Sequence, residues 1–122
     1  MIIGEYVLEY KGNNTYGKRG GMGIGMKIDD VRKSGENLEV EYSFQADYRE
    51  QGKILVRGVL IAKENDSKKI LDGWAANKQL PEDFAKNVYT AINYSGCSNG
   101  TLVAKVLGHT APLIPPKVHS KS

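Results

Sequence analysis

The sequence is poor in the residues that build disulfides and metal sites. It has one cysteine, Cys97, and two histidines, His109 and His119. A lone cysteine cannot form an internal disulfide, and these three side chains do not have the spacing of a structural zinc site. The composition therefore indicates a reducing, cytoplasmic compartment and predicts neither a metal nor a cofactor.

Long hydrophobic runs and a marked excess of one charge are also lacking. The first ten residues carry Glu5 and Glu9 without a basic flank, so we expect neither a secretory signal nor insertion into a membrane. The chain has 17 Lys and Arg residues against 14 acidic ones, which gives a formal net charge of +3. This mild excess is far from the strongly basic surface of a dedicated nucleic-acid binder.

The chain does have enough length and apolar content for one packed core. With 122 residues, 40% of them hydrophobic, it matches the size of one domain, and we expect residues 1–122 to form a single one. Pro112, Pro115 and Pro116 forbid a helix near the C-terminus. Residues 109–122 are therefore predicted to be an extended tail.

Alternating residues predict strands in the first half of the chain. Leu38–Tyr48 alternates six apolar with five polar residues, which is typical of a strand with one buried and one wet face. Met22–Asp29 alternates in the same way, and the turn residues between the two runs indicate a hairpin. Lys53–Ala62 is apolar on both sides, which indicates a more central strand. With an opening strand over Ile3–Tyr10, we expect about four strands joined in sequence as an antiparallel meander.

The apolar period then becomes helical. A first helix is predicted to start at Asp66 or Ser67 and to end before Pro81, where a second helix begins. The glycines and short polar residues of Ser95–Gly100 predict a break or kink, after which helical spacing resumes as far as Gly108. Strands followed by helices predict an α+β fold, in which helices pack on one face of an antiparallel sheet.

The glycine-rich segment Gly17–Gly25 is a candidate anion site, because exposed backbone amides together with Lys18 and Arg19 can hold a phosphate. No Lys-Ser or Lys-Thr pair closes it as a P-loop, and no helix follows it as a dinucleotide fingerprint requires. We therefore favour a flexible loop that enters a glycine-bearing strand. Binding of nucleic acid or of an anionic ligand through Lys18 and Arg19 is the alternative function.

No group of residues predicts catalysis. Cys97 would need a lowered pKa and a nearby base, and the two histidines lie at a predicted helix end and near the C-terminus. Glu39, Glu41 and Asp47 share the wet face of one strand, where carboxylates are solvated and no acid and base pair is set up. We expect that the chain is not an enzyme.

The two-sided apolar strand Lys53–Ala62 is the candidate contact surface. One layer of helices covers only one face of a sheet, so Leu55, Val59 and Ile61 are expected on a face that needs a partner. Trp74 is a fourth candidate contact. We expect a homo-oligomer, at least a dimer, formed through the outward face of this strand or through its edge. The competing hypothesis is that the proline-bearing tail folds back over the same residues.

The order of elements and the C-terminal half resemble a known family. Over residues 20–118, the chain resembles small archaeal proteins similar to the SecB export chaperone. The residues that carry this resemblance are Leu38–Ala62, Ile70–Trp74, Asn77–Pro81, Ala104–Gly108 and Pro112–Val118. It implies a four-stranded antiparallel sheet backed by two helices, dimers or tetramers, and binding of unfolded polypeptide without nucleotide or catalysis. We therefore predict a polypeptide-binding, chaperone-like protein.

Overall fold

The computed structural model describes residues 1–18 and 20–112. Four strands form one antiparallel sheet: β1 Ile2–Gly12, β2 Gly23–Ser34, β3 Asn37–Asp47 and β4 Lys53–Ala62. Two helices follow the strands: α1 Ser67–Asn77 and α2 Glu82–Leu107. A short 3₁₀ turn, Arg49–Gln51, joins β3 to β4. The predicted α+β class, with strands first and helices afterwards, is confirmed.

The strand order across the sheet is β1-β4-β3-β2. Strands β2, β3 and β4 form the predicted antiparallel meander, but β1 pairs with β4 and not with β2. The expectation of one four-stranded meander is therefore wrong, and the order is that of a Greek key. Because β4 lies inside the sheet, it has no edge through which an oligomer could form.

The segment 13–22 carries the chain from β1 to β2. It crosses the end of the sheet next to the β3–β4 connection, where the Asn13 N–H donates to the Lys53 carbonyl at 3.1 Å and the Thr15 N–H donates to the Gln51 carbonyl at 3.0 Å. In a meander, a short hairpin would connect β1 to β2. Here a longer connection is held at the end of the sheet by these backbone hydrogen bonds. Strands β1 and β2 are thus consecutive in the sequence but lie at opposite edges of the sheet.

One face of the sheet packs against the helices and holds the core. The even-numbered residues of β3 and β4 point to this helix face, and their side chains are buried. Helix α2 covers β1, β3 and β4, while α1 contacts β2. The principal core residues are Leu38, Val40, Tyr42, Phe44, Ala46, Ile54, Val56, Leu60, Ala62, Ile70, Trp74, Phe84, Val88, Ile92 and Ala104.

Helix α2 runs unbroken through Ser95–Gly100, where we predicted a break or kink. A Cβ at Gly96 would overlap the Phe44 ring, and one at Gly100 would lie 2.9 Å from Pro112 Cγ. A helical glycine costs about 1 kcal/mol relative to alanine. Because Gly96 and Gly100 have no side chains, α2 packs closely against Phe44 of the sheet and against Pro112. This packing outweighs the low helix propensity of glycine.

The ends of the helices agree with the sequence signals. Helix α1 stops at Lys78, whose φ of 58° is left-handed, and Pro81 occupies the position just before α2. After α2, the Tyr48 hydroxyl donates to the Thr110 carbonyl and Pro112 is buried against Gly100. The described start of the predicted tail therefore lies on the helix face, and residues 113–122 lie outside the described residues. No helix in the described part of the chain is long and apolar enough to cross a membrane.

Candidate functional site

Exposed large apolar side chains concentrate on two elements, strand β1 and helix α2. Among residues 1–18 and 20–112, all of them except Tyr16 belong to β1, to Met1 before it, or to α2. We call the following group the β1–α2 surface: Met1, Ile3, Tyr6, Leu8, Tyr10, Tyr94, Leu102 and Val106. Tyr94 is 76% exposed and Val106 86%. Helix α2 and strand β1 are in contact, and groups of exposed apolar side chains are a feature of sites that bind protein or peptide.

The position of β1 explains why its apolar residues are exposed. It is the outermost strand, paired on one side with β4. Two register shifts, at Ile3 and at Leu8, interrupt its alternation, so apolar side chains emerge on both of its faces. Tyr6 pairs with Val59 on the face away from the helices, while Tyr10 pairs with Val56 on the helix face.

A groove of about 1090 Å³ lies between the start of β1 and α2. Its lining is free of charged side chains and mixes apolar with small polar groups. The lining residues are Met1, Ile2, Asn87, Thr90, Ala91, Asn93, Tyr94, Cys97, Ser98 and Thr101. The lining side chains carry no charge, and the Met1 ammonium is paired with Glu64, so the groove suits an uncharged, partly apolar ligand.

Polar contacts fix β1 to α2 along this surface. The Tyr10 hydroxyl donates to Asn99 Oδ1 at 3.1 Å, and the Ser95 hydroxyl donates to the Glu5 carboxylate. Glu5 also accepts a hydrogen bond of 3.4 Å from the buried Tyr42 hydroxyl. Burial, together with the nearby Glu5 charge, raises the pKa of Tyr42 to about 12. Tyr42 therefore stays protonated and acts as a donor at neutral pH.

Cys97 and His109 do not come together as a catalytic pair. The half-buried Cys97 thiol lines the groove and lies 3.6 Å from Asn93 Oδ1. The His109 ring stacks on Tyr48 with centroids 4.1 Å apart, and its Nε2 lies 2.7 Å from the Asn13 carbonyl oxygen. Within the described ranges, no group of three or more His, Cys, Asp and Glu side chains is placed to hold a metal ion.

The outer face of the sheet, away from the helices, carries an ion-pair ladder that spans all four strands. Glu9 pairs with Arg57 at 2.8 Å, Arg57 with Glu41 at 3.2 Å, and Glu41 with Arg32 at 3.0 Å. Arg32 also contacts Glu39 at 3.1 Å. Hydrogen bonds from Arg32 and Arg57 hold the pKa of the Glu41 carboxyl below its usual value. We refer to these residues as the outer ladder.

The predicted contacts on β4 do lie on the outer face, but they form no continuous patch. Arg57 stands between Leu55 and Val59 on the same side of the strand. Val59 is 0% exposed, since Tyr6 and Glu41 flank it directly in the neighbouring strands, so it has no surface left to offer a partner. Leu55 and Ile61 are half-buried.

Trp74 lies in the helical layer, on the other side of the sheet from Leu55 and Ile61. It is 9% exposed and lines a cleft of about 540 Å³ between β2 and the helices. We call this the Trp74 cleft; its lining residues are Met26, Lys27, Ile28, Asp29, Trp74, Lys78, Gln79, Leu80, Ala85 and Tyr89. The four predicted contact residues are thus not brought together.

The described residues of the glycine-rich segment do not have the architecture of a nucleotide loop. Gly17 packs against the Glu50 backbone, and strand β2, not a helix, begins at Gly23. Lys18 is exposed, whereas Arg19 lies outside the described residues. Anion or nucleic-acid binding through these two cations stays a prediction.

Comparisons with known proteins identify a fold but not a family. No protein-family model and no curated protein matches the chain. Among solved structures, it is similar to the SecB-like chaperone Rv1957 of Mycobacterium tuberculosis in complex with a ChAD peptide from the Rv1956 HigA1 antitoxin. The similarity covers 100% of this chain and 91% of that one, with 8% sequence identity and a TM-score of 0.51. The chain has a SecB-like fold.

Sequence reasoning missed the contribution of α2 to the β1–α2 surface. Tyr94, Leu102 and Val106, together with Ser98, recur every four residues and therefore follow one side of a continuous helix. That signal was present in the sequence. The predicted break within Ser95–Gly100 concealed it, because a broken helix has no common face.

Proposed function

We propose that this protein binds unfolded polypeptide segments and acts as a chaperone-like protein, without nucleotide or metal, in the cytoplasm. The observation that carries the proposal is the β1–α2 surface, which gathers exposed aromatic and aliphatic side chains beside a groove whose lining side chains are uncharged. The SecB-like fold supports it, since a solved structure with this fold contains a bound peptide.

An unfolded segment matches this surface in chemistry. It presents apolar side chains at intervals along a backbone whose polar groups need partners, and the groove offers Tyr94 and Ala91 beside the polar side chains of Asn87, Thr90 and Ser98. A charged ligand would find no counter-charge among the lining side chains. Binding would therefore depend on apolar contact and be insensitive to salt.

The test is suppression of the aggregation of an unfolded client at near-stoichiometric amounts of the chain. Tyr94→Ser and Leu102→Ser remove exposed side chains, so the fold should be retained, and each should weaken client binding by about tenfold if one apolar contact is lost. Tyr16→Ser is the matched control, because Tyr16 is 84% exposed and belongs to the connection between β1 and β2, not to β1 or α2. Client turbidity that is unchanged by the wild-type chain would refute the function.

We also propose that the chain forms a homo-oligomer, at least a dimer. Strand β4 lies inside the sheet, so we assign the subunit contact to the edge of β1 instead. There Leu8 is 45% and Ile3 48% exposed. Self-association would use the backbone edge of β1 together with Ile3 and Leu8. Polypeptide would then bind the rest of the β1–α2 surface, on α2 beside the groove. Light scattering at micromolar concentration tests this: Leu8→Asp should lower the mass to that of a monomer, Leu55→Asp should not, and a monomeric wild type would refute it.

A further inference from the structure

A pocket of about 480 Å³ opens on the outer face of the sheet, at the end where β1 and β3 finish and β4 begins. Strand register assembles it, because Lys11 of β1 and Gln45 of β3 both pair with Leu55 of β4. We call it the lysine pocket; its lining residues are Lys11, Gly12, Asn13, Gln45, Lys53 and Leu55. All of them belong to the strands or to the connection after β1, so the pocket is separate from the groove beside α2.

The ionised side chains that line this pocket are both positive. Lys11 and Lys53 are exposed at its walls. The Lys11 ammonium lies 3.9 Å from Glu9, but Arg57 holds that carboxylate more closely, at 2.8 Å. Lys53 forms no ion pair with a carboxylate in the part of the chain that the structure describes. The two ammonium groups therefore lack a full counter-charge, and an anion between them is attracted by both.

The acidic residue beside the pocket does not neutralise it. Asp47 stands opposite Lys53 in the register, but its Oδ1 accepts the Arg49 backbone N–H at 2.8 Å. The Arg49 guanidinium lies on the other side of Asp47, next to Gly23, where a Cβ would be 3.3 Å from Nη1. Asp47 thus lies between two cations, and this end of the outer face keeps a net positive charge.

The uncharged residues of the pocket add hydrogen-bond donors and one apolar surface. Asn13 Oδ1 accepts the Lys53 backbone N–H at 3.0 Å, which leaves the Asn13 Nδ2 group as a donor. The Gln45 amide carries two further N–H donors. Half-buried Leu55 lies between Lys11 and Gln45 and offers a hydrocarbon surface. This combination suits a ligand that has an anionic group and a short hydrocarbon chain.

We propose that the lysine pocket binds an aliphatic carboxylate. The Lys11 and Lys53 ammonium groups hold the carboxylate, Asn13 donates to it, and Leu55 contacts the hydrocarbon chain. A carboxylate has two oxygens that accept several hydrogen bonds, which matches this excess of donors. The site is independent of the polypeptide-binding function proposed above. It also differs from the groove beside α2 in its response to salt, because exposed charges are screened.

The surroundings of the pocket favour a small anion over a polyanion or a neutral ligand. A long polyanion that crosses this face would run over the Glu9 and Glu41 carboxylates of the outer ladder. A neutral hydrocarbon would contact Leu55 but leave both lysines without a counter-charge. An aliphatic carboxylate satisfies the lysines and Leu55 together. A free carboxylic acid and the C-terminal leucine of a peptide share this chemistry.

Titration of the isotope-labelled full-length protein with hexanoate, followed by NMR, locates the site and gives the Kd. We expect the shifts to concentrate on residues 11–13, 45 and 53–55, including the side-chain amides of Asn13 and Gln45. The Kd should lie in the millimolar range, since the lysines are exposed. Hexanol, which lacks the charge, should bind at least about fivefold more weakly. High salt should weaken the binding of hexanoate and leave that of hexanol unchanged.

Variants separate the charge from the apolar contact. Lys11→Gln and Lys53→Gln each remove one ammonium group and should each raise the Kd of hexanoate about threefold to fivefold. Lys86→Gln is the matched control, because it makes the same change of charge at an exposed position of α2, on the other side of the sheet. Leu55→Ala should weaken the binding of hexanoate but not that of acetate, which has no hydrocarbon chain to contact it.

The outcomes decide both the site and the source of the ligand. Equal affinities for hexanoate and hexanol, or an unchanged Kd in both Lys11→Gln and Lys53→Gln, would overturn the inference. Shifts confined to Ala91 and Tyr94 would overturn it too, because the ligand would then lie in the other groove. Acetyl-leucyl-leucine that binds better than its C-terminal amide supports a peptide end as the source, and binding of hexanoate alone supports a free acid. The aggregation assay with Tyr94→Ser tests the proposed function separately.

Discussion

The two faces of the sheet are stabilised in different ways. On the helix face, Phe44 is 0% exposed and packs directly on the backbone of α2 at Gly96. On the outer face, its neighbour Gln45 is half-buried, and the strands are linked there by the ion pairs of the outer ladder. Residues adjacent in sequence thus experience a close-packed interior and a solvated surface.

This difference indicates which parts of the chain specify the fold and which are available for function. Buried apolar contacts contribute several kcal/mol per large side chain, whereas exposed ion pairs contribute at most about 1 kcal/mol. The outer ladder also divides the outer face, so that Leu55 is separated from Ile61 by Arg57. The large exposed apolar side chains lie at the β1 edge and on the exposed side of α2, not at the centre of the outer face.

Truncation of Phe44 should produce the largest difference between the faces. Phe44→Ala removes a fully buried ring and leaves a cavity under α2, which should lower the free energy of unfolding by about 3–5 kcal/mol. Gln45→Ala, on the outer face of the same strand, should change it by less than about 0.5 kcal/mol. Urea denaturation measures both. Similar losses in the two variants would show that the outer face is also a packed interface.

The strands of the sheet could be predicted because their apolar and polar residues follow clear patterns. The alternation in Leu38–Tyr48 and the two-sided apolar run Lys53–Ala62 match β3 and β4. The partner of β1 could not be predicted, because local pattern sets the face of a residue but not the neighbouring strand. The register of the sheet shows that β1 pairs with β4, and the backbone bonds of Asn13 and Thr15 hold the chain at the end of the sheet after β1.

The candidate site was predicted less well than the fold. The period of Lys53–Ala62 correctly placed Leu55, Val59 and Ile61 away from the helices. It could not show that Val59 is covered by its flanking residues, since these belong to strands distant in sequence. The continuity of α2 also depends on a contact remote in sequence, that between Gly96 and the Phe44 ring.

Adding one carbon atom at Gly96 tests that contact and should have the second-largest effect. A Cβ in Gly96→Ala would overlap the Phe44 ring, and the required shift of α2 should cost about 1–3 kcal/mol, in spite of the better helix propensity of alanine. Gly25→Ala is the matched control, because a Cβ there meets nothing within 4 Å. A stabilised Gly96→Ala would mean that α2 does not approach the sheet so closely.

The smallest expected effect concerns Glu41 in the outer ladder. Glu41→Gln keeps the shape of the side chain but removes the charge that contacts Arg32 at 3.0 Å and Arg57 at 3.2 Å. These side chains are partly exposed, so the loss at neutral pH should be below about 1 kcal/mol. Because the arginines lower the pKa of Glu41 in the folded state, its charge stabilises the fold above its ordinary pKa of 4.5.

That contribution is lost as the pH falls through the folded-state pKa, where Glu41 becomes protonated. The difference in urea midpoint between wild type and Glu41→Gln should therefore be constant from about pH 7 to pH 5 and should shrink towards about pH 3. Carboxyl groups outside the outer ladder titrate alike in both proteins and cancel in the difference. A difference that stays constant down to about pH 3 would show that the Glu41 charge adds nothing, and that hydrogen-bond geometry alone links the strands of the outer face.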